Sequence, residues 1–405
     1  MSANLVFIPF PIVSHLVVAV EAAKLLADRD ERLSITVLIM KLPIDAKITS
    51  HIENLKNSHI TFVELPHNDS NLLELKKSQR AFILQYIDSH KGAVRDAVAK
   101  IMDGSRSTRI AGFVVDMFCT AMIDVAKELG VPSYVYFTCG ALSLQLILHL
   151  QTLEDDPNHD FAEFKDSDFE TTVPGYVNPV PARVWPALVF DKDLEFLGRI
   201  SKFRETNGIM VNTFLEFEHE VIKSLRDDET IPPVYPIGPI LQVGQQHTDQ
   251  NEHGEIINWL DAQPDSSVVF LCFGSKGGFS ENQVKEIAEA LERSGKRFLW
   301  SLRKPPPKEK LEFPGDYENP EEVLPEGFLE RTVGFGKVIG WAPQMVILAH
   351  AAVGGFVSHC GWNSILESVW CGVPIATWPL SAEQQANAFE LVKEFIMAIE
   401  IKMDY

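Results

Sequence analysis

The sequence predicts an α/β protein built from two parallel-sheet domains, and three observations carry that expectation. Short apolar runs alternate with helix-like stretches along most of the chain. Runs that are apolar throughout, rather than at every second position, mark strands buried on both faces of a parallel sheet. The alternation breaks near position 240 at a polar, turn-rich stretch and then resumes. Finally, 405 residues exceed what one core ordinarily organises, and a hydrophobic fraction of 46% supplies material for two.

In chain order, Leu5–Ile8 reads as a first strand, His15–Ala27 as a helix with apolar residues at helical spacing, and Ile35–Ile39 as a β-branched second strand. Ile60–Val63, Ala111–Val115, Ser133–Phe137 and Ile209–Val211 follow as strands, with helices over Ser78–Met102, Ala121–Leu129 and Glu216–Leu225. The stretch Leu142–Val189 reads as irregular and proline-rich, with Pro174, Pro179, Pro181 and Pro186 close together. Such loops often line binding sites and equally often only connect elements. Phe10, Phe118, His149, Phe190 and Phe203 are either pocket lining or core. Residues 1–240 form the expected first domain, 241–254 the linker and 255–405 the second domain. There, Ser267–Phe273 is a strand running into Gly274-Ser275-Lys276-Gly277-Gly278, Ser280 caps a helix over Glu281–Arg293, and Arg297–Leu302 is the next strand. Lys304–Pro320, with consecutive prolines and mixed charge, reads as a surface loop.

Composition excludes several classes of partner. With 36 basic against 56 acidic residues the formal net charge is −20, which is unsuited to nucleic acid or an anionic membrane, since both select clustered Lys and Arg. Five cysteines lie scattered with no CxxC pair, as in a reduced cytosolic protein. No second ligand pair stands at zinc spacing from His359-Cys360. The N-terminus lacks a signal peptide's basic and apolar regions, and no apolar run approaches the ~20 residues of a membrane span. Three Asp-x-Asp triplets occur, Asp28/Asp30, Asp166/Asp168 and Asp191/Asp193. None follows a strand, so they read as solvated loop or helix-end charges.

Chemistry concentrates in two places. The first is a pair of predicted strand ends: His15 follows the first strand through Pro9–Ser14, and Asp116 follows Ala111–Val115. A lone histidine at a helix start is usually a cap or a solvated side chain. A histidine and an aspartate at two ends of one parallel sheet instead fit a base oriented by a carboxylate. The second place is Trp341–Gln384, which reads as loop, helix, strand, turn, helix and strand. Its strand Gly354–Ser358 enters the turn His359-Cys360-Gly361-Trp362-Asn363-Ser364, with Asn363 or Ser364 as the expected N-cap of the next helix. A helix N-terminus with a nearby glycine suits a diphosphate, Trp341 offers a plate for a base, and Glu367, Glu383 and Gln384 suit sugar hydroxyls. The alternative, a plain buried core, does not call for His, Asn, Ser, Glu and Gln at turn positions, where burying them is costly.

These residues carry a resemblance. The opening WAPQ, central HCGWNS, Glu367 and closing Glu383-Gln384 resemble the donor-binding signature box of plant secondary-product UDP-glycosyltransferases, and the similarity extends along the whole chain. The resemblance implies the GT-B arrangement, two Rossmann-like domains facing each other across a cleft. It implies that Trp341 stacks on uracil with the Ala342 backbone and Gln344 nearby, and that Glu367 binds the ribose. His359, Gly361, Asn363, Ser364 and Ser275 would hold the phosphates, and Trp362, Glu383, Gln384 and Thr138 would read the sugar. Trp362 with Gln384 implies UDP-glucose as co-substrate. His15 would be the base and Asp116 its support; no metal or other cofactor is expected.

Three departures from the family pattern stand out. Ser14 precedes His15 where many relatives carry glycine, which implies a differently shaped loop. Ser381 replaces a common aromatic. The chain stops at Tyr405, after a strand-like Met397–Ile401, where relatives continue, so the second domain is expected to be incomplete. The expected activity is inverting, metal-independent glucosyl transfer to a hydroxyl or carboxyl of a small lipophilic phenolic or terpenoid, by a cytoplasmic monomer. Two rivals remain: a UDP-sugar-binding protein without catalysis, which would have no use for His15 and Asp116, and a Ser/His/Asp hydrolase, for which no GxSxG elbow exists.

Overall fold

The structure is a computed structural model that describes residues 2–42, 59–66, 79–104, 108–156, 161–165, 167–241, 250–306 and 314–402. Ser78, Asp166, residues 242–249 of the expected linker and residues 307–313 of the expected surface loop lie outside the described residues. The chain divides into two compact units, residues 1–182 with 187–242, and residues 243–405 with 183–186.

The first unit is organised by a seven-stranded sheet. Its strands are β1 (Ser2–Ile8), β2 (Leu33–Ile39), β3 (Ile60–Glu64), β4 (Thr108–Asp116), β5 (Ser133–Phe137), β8 (Gly208–Val211) and β9 (Val234–Pro236). A separate short antiparallel pair is β6 (Glu170–Thr171) with β7 (Val180–Pro181). The large sheet runs β3-β2-β1-β4-β5-β8-β9, and every neighbouring pair in it is parallel. The helix Val13–Arg29 presents Leu16, Val17, Val20, Ala23 and Ala27 to the core that Phe7, Val37 and Val114 build from the sheet. Each fully buried aliphatic side chain there contributes about 1.5–3 kcal/mol.

Two expectations in this unit are corrected. The helix expected over Ser78–Met102 is two helices, Gln79–Ser89 and Lys91–Gly104. Between them the buried His90 turns its Nδ1 to the Tyr86 carbonyl at 2.8 Å, while its N–H donates to Ile87. The side chain thus takes an acceptor that the backbone ladder would otherwise use. The irregular stretch expected from Leu142 begins instead as the helix Ala141–Glu154, with ten of its residues buried. A helix enclosed on nearly all sides has no polar face to set a period, so it leaves no amphipathic signal.

The second unit repeats the plan. Its strands are β10 (Val268–Cys272), β11 (Arg297–Ser301), β14 (Gly336–Ile339), β15 (Val353–Ser358), β16 (Ile375–Thr377) and β17 (Ala398–Glu400), with a small antiparallel pair, β12 (Arg303–Lys304) at the start of the expected surface loop and β13 (Gly315–Asp316) within it. The sheet order is β14-β11-β10-β15-β16-β17, again with parallel pairs throughout. Ser280 and Gln283 form a reciprocal capping box at the start of the helix Glu281–Ser294, where the sequence placed a cap. The helix Gln250–Asp261 begins inside the expected linker.

Counted within each unit, the strand order is third, second, first, fourth, fifth, sixth, with one further strand in the first unit. This is the doubly wound, Rossmann-like order, and its chain reverses direction between the first and fourth strands. The switch points are therefore β1/β4 and β10/β15, and ligands gather beyond the carboxyl ends of such strands. No helix among the described residues is long and apolar enough to cross a membrane.

Candidate functional site

At the β1/β4 switch point stand His15 and Asp116. His15 lies in the first turn of the helix Val13–Arg29, and Asp116 is the last residue of β4. They are 101 positions apart in sequence, and Nδ1 of His15 lies 2.7 Å from Oδ2 of Asp116. Asp116 is 1% exposed and its other oxygen accepts the Phe118 N–H at 3.0 Å, so the carboxylate is held at both ends. An ionised carboxylate only accepts, so it selects the tautomer with the proton on Nδ1 and leaves Nε2 with a lone pair. Phe10 and Phe118 flank the imidazole with ring centroids 5.2 and 5.7 Å away, and Phe196 extends the group beyond Phe118. Ser14 is an exposed, helical residue without positive φ, so no glycine is needed before His15.

The other pocket candidates separate. Phe203 is fully buried edge-on against Phe137 and belongs to the core. His149 binds Thr171 at 2.8 Å, and burial lowers its pKa. Phe190 packs on Phe161. Thr138, directly after β5, is buried with its hydroxyl toward the Met117 sulfur at 3.9 Å.

At the β10/β15 switch point the site is a turn. β15 ends at Ser358, Cys360 adopts φ +61°, and Gly361 is the N-cap of the helix Trp362–Cys371. The cap expected at Asn363 or Ser364 is thus two or three residues too late: the left-handed Cys360 reverses the chain early, and both side chains fall within the first helical turn. The first residues of that helix leave their N–H groups without intrahelical partners. Trp362 is buried at 3% exposure, and it contributes its backbone at the first helical position.

Two glycines frame His359. A Cβ on Gly274, which follows β10 and has φ +73°, would stand 2.5 Å from its Nε2, and a Cβ on Gly361 would stand equally close. Burial lowers the imidazole pKa to about 4 against a hydrogen bond with the Cys272 backbone, so His359 is neutral near pH 7. Its Nδ1 and the Asn363 Oδ1 are both sealed from solvent without a hydrogen-bond partner. Buried polar atoms are ordinarily paired, so orphaned atoms beside a helix N-terminus mark a place where a polar ligand fits.

The rest of the box surrounds this turn. Gln344 donates to the Ser364 hydroxyl at 2.9 Å and to Glu367 at 2.7 Å. Burial raises the Glu367 carboxyl to about 7, with Gln344 opposing the shift. Trp341 is 52% exposed, as a stacking plate must be, and Ala342 is buried beside it. Gln384 Oε1 accepts the N–H groups of Leu380 and Ser381 at 2.8 and 2.9 Å, which leaves its amide hydrogens for other acceptors. Glu383 is the N-cap residue of the helix Gln384–Phe389, with no capping hydrogen bond from its side chain, and Ser275 and Lys276 are exposed after β10. Among the described residues no group of three or more His, Cys, Asp or Glu could hold a metal ion. Asp30 pairs with Arg32, and Asp191 caps a short helix, so two of the Asp-x-Asp triplets are accounted for as helix-end charges.

Sequence reasoning missed two buried polar residues. Glu218 accepts the N–H groups of Ala141 and Leu142, both at 2.8 Å, and so caps the helix after Thr138. Asn387 donates to the Cys360 carbonyl at 2.9 Å. Neither lies in a motif, and each partner is distant in sequence.

Two Rossmann-like sheets, a histidine–carboxylate dyad at one switch point and an anion-receptive turn at the other define a nucleotide-sugar-dependent glycosyltransferase. The chain belongs to the UDP-glucoronosyl and UDP-glucosyl transferase family, whose family model matches residues 12–403. It is 56% identical to the UDP-glucose flavonoid 3-O-glucosyltransferase 6 of Fragaria ananassa over 100% of this chain and 86% of that one. Identity to UDP-glycosyltransferase 71E1 of Stevia rebaudiana is 54%, over 100% of this chain and 85% of that protein. Among solved structures, Medicago truncatula UGT71G1 complexed with UDP-glucose is similar at a TM-score of 0.88 and 43% identity, covering 100% of this chain and 86% of that chain.

Proposed function

We propose that the protein transfers glucose from UDP-glucose to a hydroxyl of a small lipophilic plant metabolite, a phenolic or terpenoid, with inversion and without a metal. The His15–Asp116 hydrogen bond is the observation that carries this reading, because a protein that only bound UDP-sugar would have no use for it. His15 Nε2 takes the proton of the acceptor hydroxyl, and Asp116 stabilises the imidazolium that forms. The hydroxyl oxygen attacks the anomeric carbon as the bond to UDP breaks. The aromatic rings of Phe10 and Phe118 suit a planar acceptor beside the base.

On the donor side, Trp341 stacks on uracil, the Ala342 backbone and Gln344 lie beside it, and Glu367 accepts from the ribose hydroxyls. Ser275, His359, Gly361, Asn363 and Ser364 surround the diphosphate, and the helix N-terminus takes up the charge that develops on the leaving group. Trp362, Glu383 and Gln384 read the sugar. Residues 1–240 thus serve the acceptor and 255–405 the donor, joined by 241–254. A protein with net charge −20 does this with local N–H groups instead of a positive field. The reduced thiols fit a cytoplasmic setting.

The deciding experiment measures UDP release from UDP-glucose against a panel of phenolic and terpenoid acceptors in EDTA, for wild type and His15→Ala. The expected result is transfer by wild type and a loss of about 10²–10⁴-fold in the variant with UDP binding retained. Binding of UDP without turnover by either protein would favour the binding-only reading.

A further inference from the structure

Cys360 is a side-chain-bearing residue in a left-handed conformation, φ +61°, at the centre of the donor turn. Such a conformation costs on the order of 1–2 kcal/mol without glycine's freedom, and persists only where its surroundings impose it. Three contacts do so. The Cys360 N–H donates to the Ser358 hydroxyl at 3.1 Å, its thiol lies 3.5 Å from the Ser358 carbonyl oxygen, and its own carbonyl accepts the Asn387 amide at 2.9 Å. The first two come from the same strand end. The third ties the turn to a different element, as does the hydrogen bond between the thiol and the Trp378 backbone just past β16.

We propose that Asn387 is a positioning residue for the donor: its buried carboxamide holds the Cys360 carbonyl, and with it the early chain reversal that starts the donor helix at Trp362. Asn387 is fully buried, on the helix Gln384–Phe389 that follows β16. Gln384 stands one turn earlier on the same helix, and residues three apart share a face. That helix therefore carries both the carboxamide that reads the sugar and the one that fixes the diphosphate turn. Without the Asn387 bond, the Cys360 carbonyl is left buried and unpaired. The turn then relaxes toward an ordinary negative φ, which reorients the N–H groups at Gly361 and Trp362. Asn387 touches neither substrate nor reacting atoms and acts through the turn.

This inference rests on the donor-site reading given above, and its test separates the two. UDP affinity and the KM for donor and acceptor are measured for wild type, Asn387→Leu, Cys360→Gly and the double variant. Leucine keeps the buried volume and removes the donor, and glycine at 360 accepts the left-handed conformation without strain. In Asn387→Leu, the Kd for UDP and the donor KM are expected to rise about 10-fold with acceptor KM unchanged, in line with a buried carbonyl left unpaired. In the Cys360→Gly background the same substitution is expected to cost no more than about 3-fold, because the turn no longer needs to be imposed. A folded Asn387→Leu with wild-type donor binding, or an equal loss in both backgrounds, overturns the proposal. If Asn387→Leu does not fold, Asn387→Ser is read by the same criteria. A wild-type protein that does not bind UDP overturns the donor-site reading and this inference together.

Discussion

The two units solve one topological problem with different chemistry. Both are parallel sheets of the same strand order, and both place their polar residues where the first and fourth strands part. In the first unit the site is made of side chains that meet across the switch point, with one buried carboxylate locked onto one imidazole. In the second it is made mainly of backbone: a left-handed residue, a glycine cap and a helix N-terminus, framed by a neutral histidine. The difference fits the tasks proposed for the two sites. Moving a proton needs a group that changes charge, while holding a diphosphate in an acidic protein needs many weak donors that do not.

Substitutions at each switch point should therefore fail in different ways. The largest effect is expected from Asp116→Asn. An amide in place of the carboxylate neither enforces the Nδ1 proton on His15 nor stabilises its charge. Turnover should fall by about 10²–10⁴-fold, with the UDP Kd unchanged by calorimetry. A comparable loss of UDP affinity would mean that the two sites are not chemically separate.

Gly274→Ala tests the second unit alone. The new methyl group meets His359 Nε2 at 2.5 Å from a backbone at φ +73°, so crowding and strain act together. A cost of about 1–3 kcal/mol is expected, read as a UDP Kd raised roughly 10-fold or more, with the pH dependence of acceptor activation preserved.

The smallest effect concerns pH. The Glu367 carboxyl, raised by burial to about 7, takes up a proton as the pH falls through that value. The ribose hydroxyls donate best to the ionised form, so UDP binding should weaken by a few-fold between pH 8 and pH 6. His359, at about 4, does not titrate in this window in the unliganded protein. The phosphate's own ionisation near pH 6 is common to any variant. Isothermal titration of Glu367→Gln should thus show a flatter profile than wild type, and identical slopes would remove Glu367 from the ribose site. For folding the sign is opposite. A carboxyl whose pKa is raised in the folded state contributes stability below its unfolded value of about 4.5, and loses it as the pH rises through about 7.

The strands were legible because a β-strand buried on both faces writes itself as a local apolar run, as in Ile35–Ile39 and Ser133–Phe137, and His15, Asp116 and the box were legible because strand ends and turns demand particular residue types. The Ala141–Glu154 helix was not, since complete burial erases the periodicity that announces a helix. Gly336–Ile339 also escaped, as an edge strand with no deeply buried residue. The sequence by itself determined two α/β domains, the placement of His15 and Asp116 at strand ends and the polar residues of the turn after β15, all set within a few neighbouring residues. Only the tertiary structure decided that Nδ1 of His15 meets Asp116, that the helix after β15 starts at Trp362 behind a Gly361 cap, that Gly274 and Gly361 enclose His359, and that Asn387 reaches back to Cys360. Each of these depends on which strand lies beside which, and sheet order is set by packing between segments far apart in the chain.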